Sequence, residues 1–171
     1  MSEQTVFTVM DSPLGEILLV GNDQGMTHLS FQAGSSAITP NEDWRRDNAA
    51  FVDAVEQLKV YFSGGLQDFD LPLAPKGTSF QQDVWRFLQT IPYGKTTSYG
   101  AIAQAMGKPN GSRAVGAANG RNPIAIIIPC HRVIGSNGSL TGYAGGLRFK
   151  EALLSLEGNG RIEVSQQLSL F

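Results

Sequence analysis

The 171-residue sequence has one cysteine, two histidines and no long apolar run. A single cysteine cannot close an internal disulfide, and one Cys with two His offers too few soft ligands for a zinc site without carboxylates. No metal and no cofactor are therefore expected, and any chemistry of Cys130 is that of a thiol. No stretch approaches the length of a membrane span, and residues 1–11 lack the basic and apolar regions of a secretion signal. The expected compartment is the cytoplasm, with no membrane partner. Acidic residues are missing from one stretch: residues 76–150 carry nine Lys/Arg and only Asp83, whereas residues 1–75 carry eleven Asp/Glu and three Lys/Arg. The net charge of −2 hides this split, which suits an acidic segment held off a polyanion and a basic segment placed on it.

What is present is enough apolar residue, 42% of the chain, for a real core. Residues 5–10, 15–20 and 26–31 read as three short strands separated by Asp-Ser-Pro and Asn-Asp-Gln-Gly turns, a β-meander. Residues 34–46 are polar and irregular. Phe51, Val52, Val55, Leu58 and Phe62 recur at helical spacing over 49–62, and Gly64 and Gly65 follow. The segment 67–78, with Pro72, Pro75 and Gly77, reads as a linker. Thr78 and Gln81 form a capping box for a helix with Phe80, Val84, Phe87, Leu88 and Ile91 on its apolar face. Residues 97–106 and 112–119 are two short helices around a Gly/Pro turn, a helix-turn-helix pattern. Residues 124–128 are an apolar β-branched run, read as a buried strand ended by Pro129, and 148–157 is a last helix closed by Gly158. The expected class is α/β (α+β): a small sheet-plus-helix support domain over 1–75, a mostly helical domain over 76–160, and a tail over 161–171. A monomer is expected.

Helix 112–119 is unusual for a DNA reader, because Ala114, Gly116, Ala117 and Ala118 bring no side-chain donors or acceptors to base edges. Small residues do allow close approach to a widened minor groove, and Arg113 near the helix start can enter the base stack. For Gly116, close helix–helix packing is an equal explanation. Cys130 lies at what reads as a strand end, beside His131 and Arg132, two groups that favour thiolate over thiol. Strand neighbours point to opposite faces, so His131 serves Cys130 only through a turn or a water. Glu157, late in the last helix, is the candidate carboxylate to orient His131. Trp85 reads as core, His28 as a polar residue of the third strand, and Lys95, Lys108, Arg121 and Arg148 as phosphate contacts or solvated charges.

Pro129-Cys130-His131-Arg132-Val133, together with the 113–119, Asn122-Pro123 and 142–146 segments in their order and spacing, resembles the O6-alkylguanine-DNA alkyltransferases, also called methylated-DNA–protein-cysteine methyltransferases. The match is close over about 78–158 and general over the first 75 residues. The resemblance implies irreversible, single-turnover transfer of an alkyl group from O6-alkylguanine in duplex DNA to Cys130 after base flipping, with O4-alkylthymine a further candidate substrate. It implies that His131 acts through water as the base of Cys130, that Glu157 polarises His131, and that Asn122 braces the turn holding the site. It implies that Tyr99 gives a proton to the departing guanine and that Arg113 fills the gap left by the flipped nucleotide. Ser112, Ala114, Gly116, Ala117 and Asn119 would share the DNA face, and Pro129, Tyr143, Ala144 and Gly145 would line the base pocket. Some relatives have serine where this chain has Ala144, so backbone amides must serve O6 there.

Residues 167–171, Gln167-Leu168-Ser169-Leu170-Phe171, lie outside that pattern. They resemble the short peptide by which bacterial polymerases and repair proteins dock on the sliding clamp. Burial of the tail on its own domain, as a strand or lid, is the alternative. Two other classes remain open on the residues alone. One is a non-catalytic alkyl-lesion sensor of the same fold, which has no need of the thiol. The other is a Cys-His hydrolase using Asn122 as orienter.

Overall fold

The computed structural model describes residues 4–140, 143 and 146–162. Its first half is a four-stranded sheet in the order β3-β2-β1-β4, with β1 at Val6–Met10, β2 at Ile17–Asn22, β3 at Gly25–Phe31 and β4 at Arg45–Arg46. β1, β2 and β3 are the antiparallel meander expected from the turns. β4, two residues from the segment read as irregular, joins β1 in parallel; a pair so short carries no period to read. Ile17, Leu18, Leu19 and Val20 of β2 are all buried, so the central strand is covered on both faces. A 3₁₀ turn over Asn48–Phe51 leads into α1, Val52–Phe62, which buries Ala54, Leu58 and Tyr61.

The segment read as a linker is tied to the sheet edge. Met26 N–H donates to Pro72 O at 2.9 Å and Ala74 N–H to Met26 O at 2.7 Å, so residues 72–74 run along β3. Gly25 permits this approach: its φ is +146°, and a Cβ there would lie 2.6 Å from the Pro72 carbonyl oxygen.

α2, Ser79–Leu88, opens with the expected capping box, Gln81 N–H donating to Thr78 Oγ1 and Thr78 N–H to Gln81 Oε1. Trp85 is core, and its indole N–H donates to Ala118 O at 2.9 Å, which seats α2 on the helix over Ser112–Gly120. β5, Thr97–Ser98, pairs in parallel with β6, Val133–Ile134. Between them lie α3, Tyr99–Ala105, and α4, Ser112–Gly120. Ser98 caps α3 through the Ala101 N–H; Gly107, at φ +74°, turns the chain towards α4. α5, Leu147–Asn159, runs two residues past the expected stop and is capped by Gly160 in the left-handed conformation, not by Gly158. Apolar side chains of both halves meet in one continuous core, from Ile17 and Leu58 to Ile102 and Leu153.

Residues 124–128 are not the expected strand. Only Ile124 makes a bridge, to Leu29 of β3, and the rest coils: Ile127 N–H donates to Ala125 O at 2.8 Å around Ile126, whose φ is +70°. For a β-branched residue that conformation costs on the order of 1–3 kcal/mol. Asn122 holds it, donating from Nδ2 to Ile128 O at 2.7 Å and accepting at Oδ1 from Ile124 N–H at 3.0 Å. One side chain thus ties both ends of the coil and supplies pairing that a neighbouring strand would otherwise give.

Candidate active site

The coil delivers the chain into a 3₁₀ turn, Cys130–Arg132, correcting the strand-end reading of Cys130. At three residues per turn, successive side chains project about 120° apart, so Cys130, His131 and Arg132 leave the turn in three different directions. All three are buried, His131 completely.

His131 and Arg132 converge on Glu157 of α5. His131 Nε2 lies 2.6 Å from Glu157 Oε2. Arg132 forks onto the same carboxylate, Nε donating to Oε1 at 2.8 Å and Nη2 to Oε2 at 3.1 Å, while Nη1 donates to Ile91 O at 2.6 Å. The Tyr61 hydroxyl adds a donor to Oε2 at 2.7 Å. Burial works to raise the Glu157 pKa, but the hydrogen bonds and charges of His131 and Arg132 outweigh it and hold the carboxyl well below the usual carboxylate range. Burial pushes His131 down, against the pull of Glu157. An ionised Glu157 beside a neutral imidazole fixes the tautomer: Nε2 carries the proton and Nδ1 presents its lone pair. Nδ1 is buried without a hydrogen-bond partner among the described residues.

Cys130 is 6% exposed, and burial pushes its thiol up; Asn122, the Lys150 ammonium and Tyr143 draw it back. Arg132 is spent on Glu157, so the cation favouring thiolate is Lys150 of α5 rather than Arg132. Lys150 is fully buried, and burial pushes it down to about 8. No motif announced it; the one available signal was its spacing, seven residues before Glu157 on the same helical face.

The structure brings most expected residues together. A cleft of about 240 Å³ reaches Cys130, lined by Asn119, Asn122, Tyr143 and, from the first half of the chain, Leu29, Phe31 and Ile38. Pro129, expected in this lining, is corrected: it is buried and lines a separate cleft with Phe69 and Arg132. Ala144 and Gly145, like residues 167–171, lie outside the described residues. On α4, Ser112, Arg113, Ala114 and Ala117 are exposed and form one outward face. Asn119, expected there, is corrected: it is 4% exposed and turned inward, its Nδ2 3.5 Å from Cys130 O. Gly116 lies beneath Tyr99, and a Cβ there would meet the ring edge at 3.7 Å, an ordinary contact. Helix packing therefore does not demand glycine at 116. Tyr99 starts α3 half-buried. Glu157, not Asn122, orients His131, which removes the orienter from the hydrolase reading.

A buried thiol next to a buried His–Glu pair, with a helix pair whose outer face offers small residues and one arginine, fits a DNA-binding protein with a cysteine nucleophile. Comparison with known proteins narrows this class. Residues 5–75 match the 6-O-methylguanine DNA methyltransferase, ribonuclease-like domain, and residues 79–159 the 6-O-methylguanine DNA methyltransferase, DNA binding domain. The methylated-DNA–protein-cysteine methyltransferase of Methanosarcina barkeri is 56% identical over 153 residues, covering 90% of this chain and 97% of the relative. That of Mycobacterium leprae is 50% identical over 163 residues, 95% and 96% of the two chains. Among solved structures, Mycobacterium tuberculosis OGT in complex with DNA superposes with a TM-score of 0.85 at 50% identity, covering 92% of this chain and 95% of that one. The chain belongs to the methylated-DNA–protein-cysteine methyltransferase family.

Proposed function

We propose that this chain repairs DNA by direct reversal, taking the alkyl group of O6-alkylguanine in duplex DNA onto Cys130 and keeping it. The observation that carries the reading is the buried relay, Glu157 to His131 Nε2 with a bare Nδ1 on the far side. A water between Nδ1 and the thiol passes the Cys130 proton to His131, and the imidazolium that forms is stabilised by Glu157. The thiolate sulfur attacks the alkyl carbon, the carbon–oxygen bond breaks, and its electron pair leaves with guanine O6. Tyr99 donates a proton to the departing base. The target base must leave the stack to reach a cysteine this deeply buried; the exposed face of α4 meets the minor groove, with Arg113 filling the gap. Asn122 braces the coil that presents Cys130, and Tyr143, with Ala144 and Gly145, lines the base pocket. Residues 1–75 support the 76–160 unit, and the protein works as a cytoplasmic monomer. A thioether offers no leaving group comparable to the neutralised guanine, so each molecule acts once. Counting repaired guanine against protein in a lesion excess tests this: one equivalent is expected, and continued turnover beyond one equivalent contradicts it.

Residues 167–171 dock the protein on a bacterial sliding clamp, the support being their likeness to the clamp-binding peptide. The full chain is expected to bind the clamp of its own cell measurably, and deletion of 167–171 to remove that binding; equal binding by both disposes of the idea.

A further inference from the structure

Tyr61 belongs to α1, in the half of the chain remote in sequence from the cysteine motif, yet its hydroxyl lies 2.7 Å from the Glu157 oxygen that also holds His131. The side chain is fully buried. Its ring is boxed by Phe62, Phe69 and Tyr93, with centroids 5.4, 5.3 and 6.3 Å away, so packing aims the hydroxyl without help from the hydrogen bond. A phenylalanine ring would fill the same box. The hydroxyl is therefore not needed to fill space, and what it does is donate to a carboxylate.

We infer that Tyr61 is a positioning residue of the alkyl-transfer site, through which the N-terminal half of the chain sets the carboxylate that orients His131. The inference rests on the relay proposed above. Oε2 is shared: Tyr61, Arg132 Nη2 and His131 Nε2 all meet it. A donor from Tyr61 spreads the negative charge of that oxygen and weakens its hold on the imidazole proton. Without it, Glu157 holds His131 more strongly in the charged form, and the free Nδ1 lone pair needed for catalysis is lost at a higher pH. The groups facing this pair are Lys150 on α5, Arg132 in the turn, Tyr143 and Cys130 at the site, and Tyr93 in the segment after α2. None of them replaces a neutral hydroxyl donor on Oε2.

The test is the rate of methyl transfer from an O6-methylguanine duplex as a function of pH, for the wild type, Tyr61→Phe, a 3-fluorotyrosine at 61 and Leu58→Ala. Tyr61→Phe is expected to move the low-pH limb upward by roughly one unit and so to slow transfer about tenfold on the acid side of the limb. The fluorinated hydroxyl, a stronger donor, is expected to move the limb downward. Leu58→Ala, which hollows the same helix without touching the relay, is expected to lower the melting temperature and leave the limb in place. A Tyr61→Phe profile that superposes on the wild type, or an equal limb shift in Leu58→Ala, overturns the inference. Should Tyr61→Phe not fold, an unmoved limb in the fluorotyrosine protein overturns it instead. A wild type with no low-pH limb would remove the relay itself, whereas a limb unmoved by the variants removes the role of Tyr61 alone.

Discussion

Cys130→Ser is expected to abolish alkyl transfer while leaving the affinity for duplex DNA unchanged. The serine oxygen would occupy the sulfur site and face the same Asn122 and Tyr143. What is lost is the accessible anion. A thiol ionises near pH 8.5 in the open, and although burial leaves Cys130 raised, Asn122 and Lys150 offset part of that rise and His131 can take the proton. No arrangement of these groups ionises an alcohol to a comparable extent, so the rate falls on the order of 10⁴-fold or more. The face of α4 that meets DNA, Ser112, Arg113, Ala114 and Ala117, is exposed and is untouched by a change inside the site. Single-turnover transfer and fluorescence anisotropy with a lesion duplex check the two halves of this expectation, and residual transfer by the serine protein would show that sulfur is not the acceptor.

Glu157→Gln should damage both stability and chemistry. The carboxylate is the counter-charge of a buried guanidinium, and removing one member of a buried pair costs about 3–5 kcal/mol. The amide can also present N–H to His131 Nε2, which turns that nitrogen into an acceptor and moves the ring proton to Nδ1, where the base is needed. Loss of general-base catalysis slows transfer on the order of 10²- to 10³-fold. The pH dependence follows from linkage. Glu157 is held below its ordinary range in the folded protein, so its contribution is complete above the unfolded value of about 4.3 and is lost as pH falls from there towards the folded value. His131 is likewise lowered; the unfolded chain binds its proton near pH 6.5 and the folded chain does not, so wild-type stability begins to decline below about that pH. Urea melts of wild type and Glu157→Gln should differ most near neutrality and begin to converge as the pH falls below about 4.3. A gap that stays constant to pH 3 would mean that Glu157 is not ionised in the native site.

Much of this arrangement is legible in the sequence, for reasons tied to particular residues. The meander follows from turns rich in Gly, Asp and Asn, and α2 from the Thr78/Gln81 box, because these are local signals with local causes. The pairing of His131 with Glu157 is legible as a need for a carboxylate orienter. The run 124–128 misled because its composition suits a strand, whereas the backbone there is decided by Asn122, a side chain outside the run. Asn119 misled because its spacing on α4 does not say which side of a nine-residue helix meets the core. Tyr61 and Lys150 were silent. One lies 96 residues from its partner, the other is an unremarked lysine among basic neighbours, and only tertiary packing buries them at the relay.

The most direct measurement is the mass of the intact protein after incubation with an O6-methylguanine duplex, followed by mapping of the modified peptide. The account predicts a gain of one methyl group per molecule, placed on Cys130, absent from Cys130→Ser and matched by one unmodified guanine per protein. Repaired DNA with an unchanged protein mass, or a methyl group on any other residue, would contradict it.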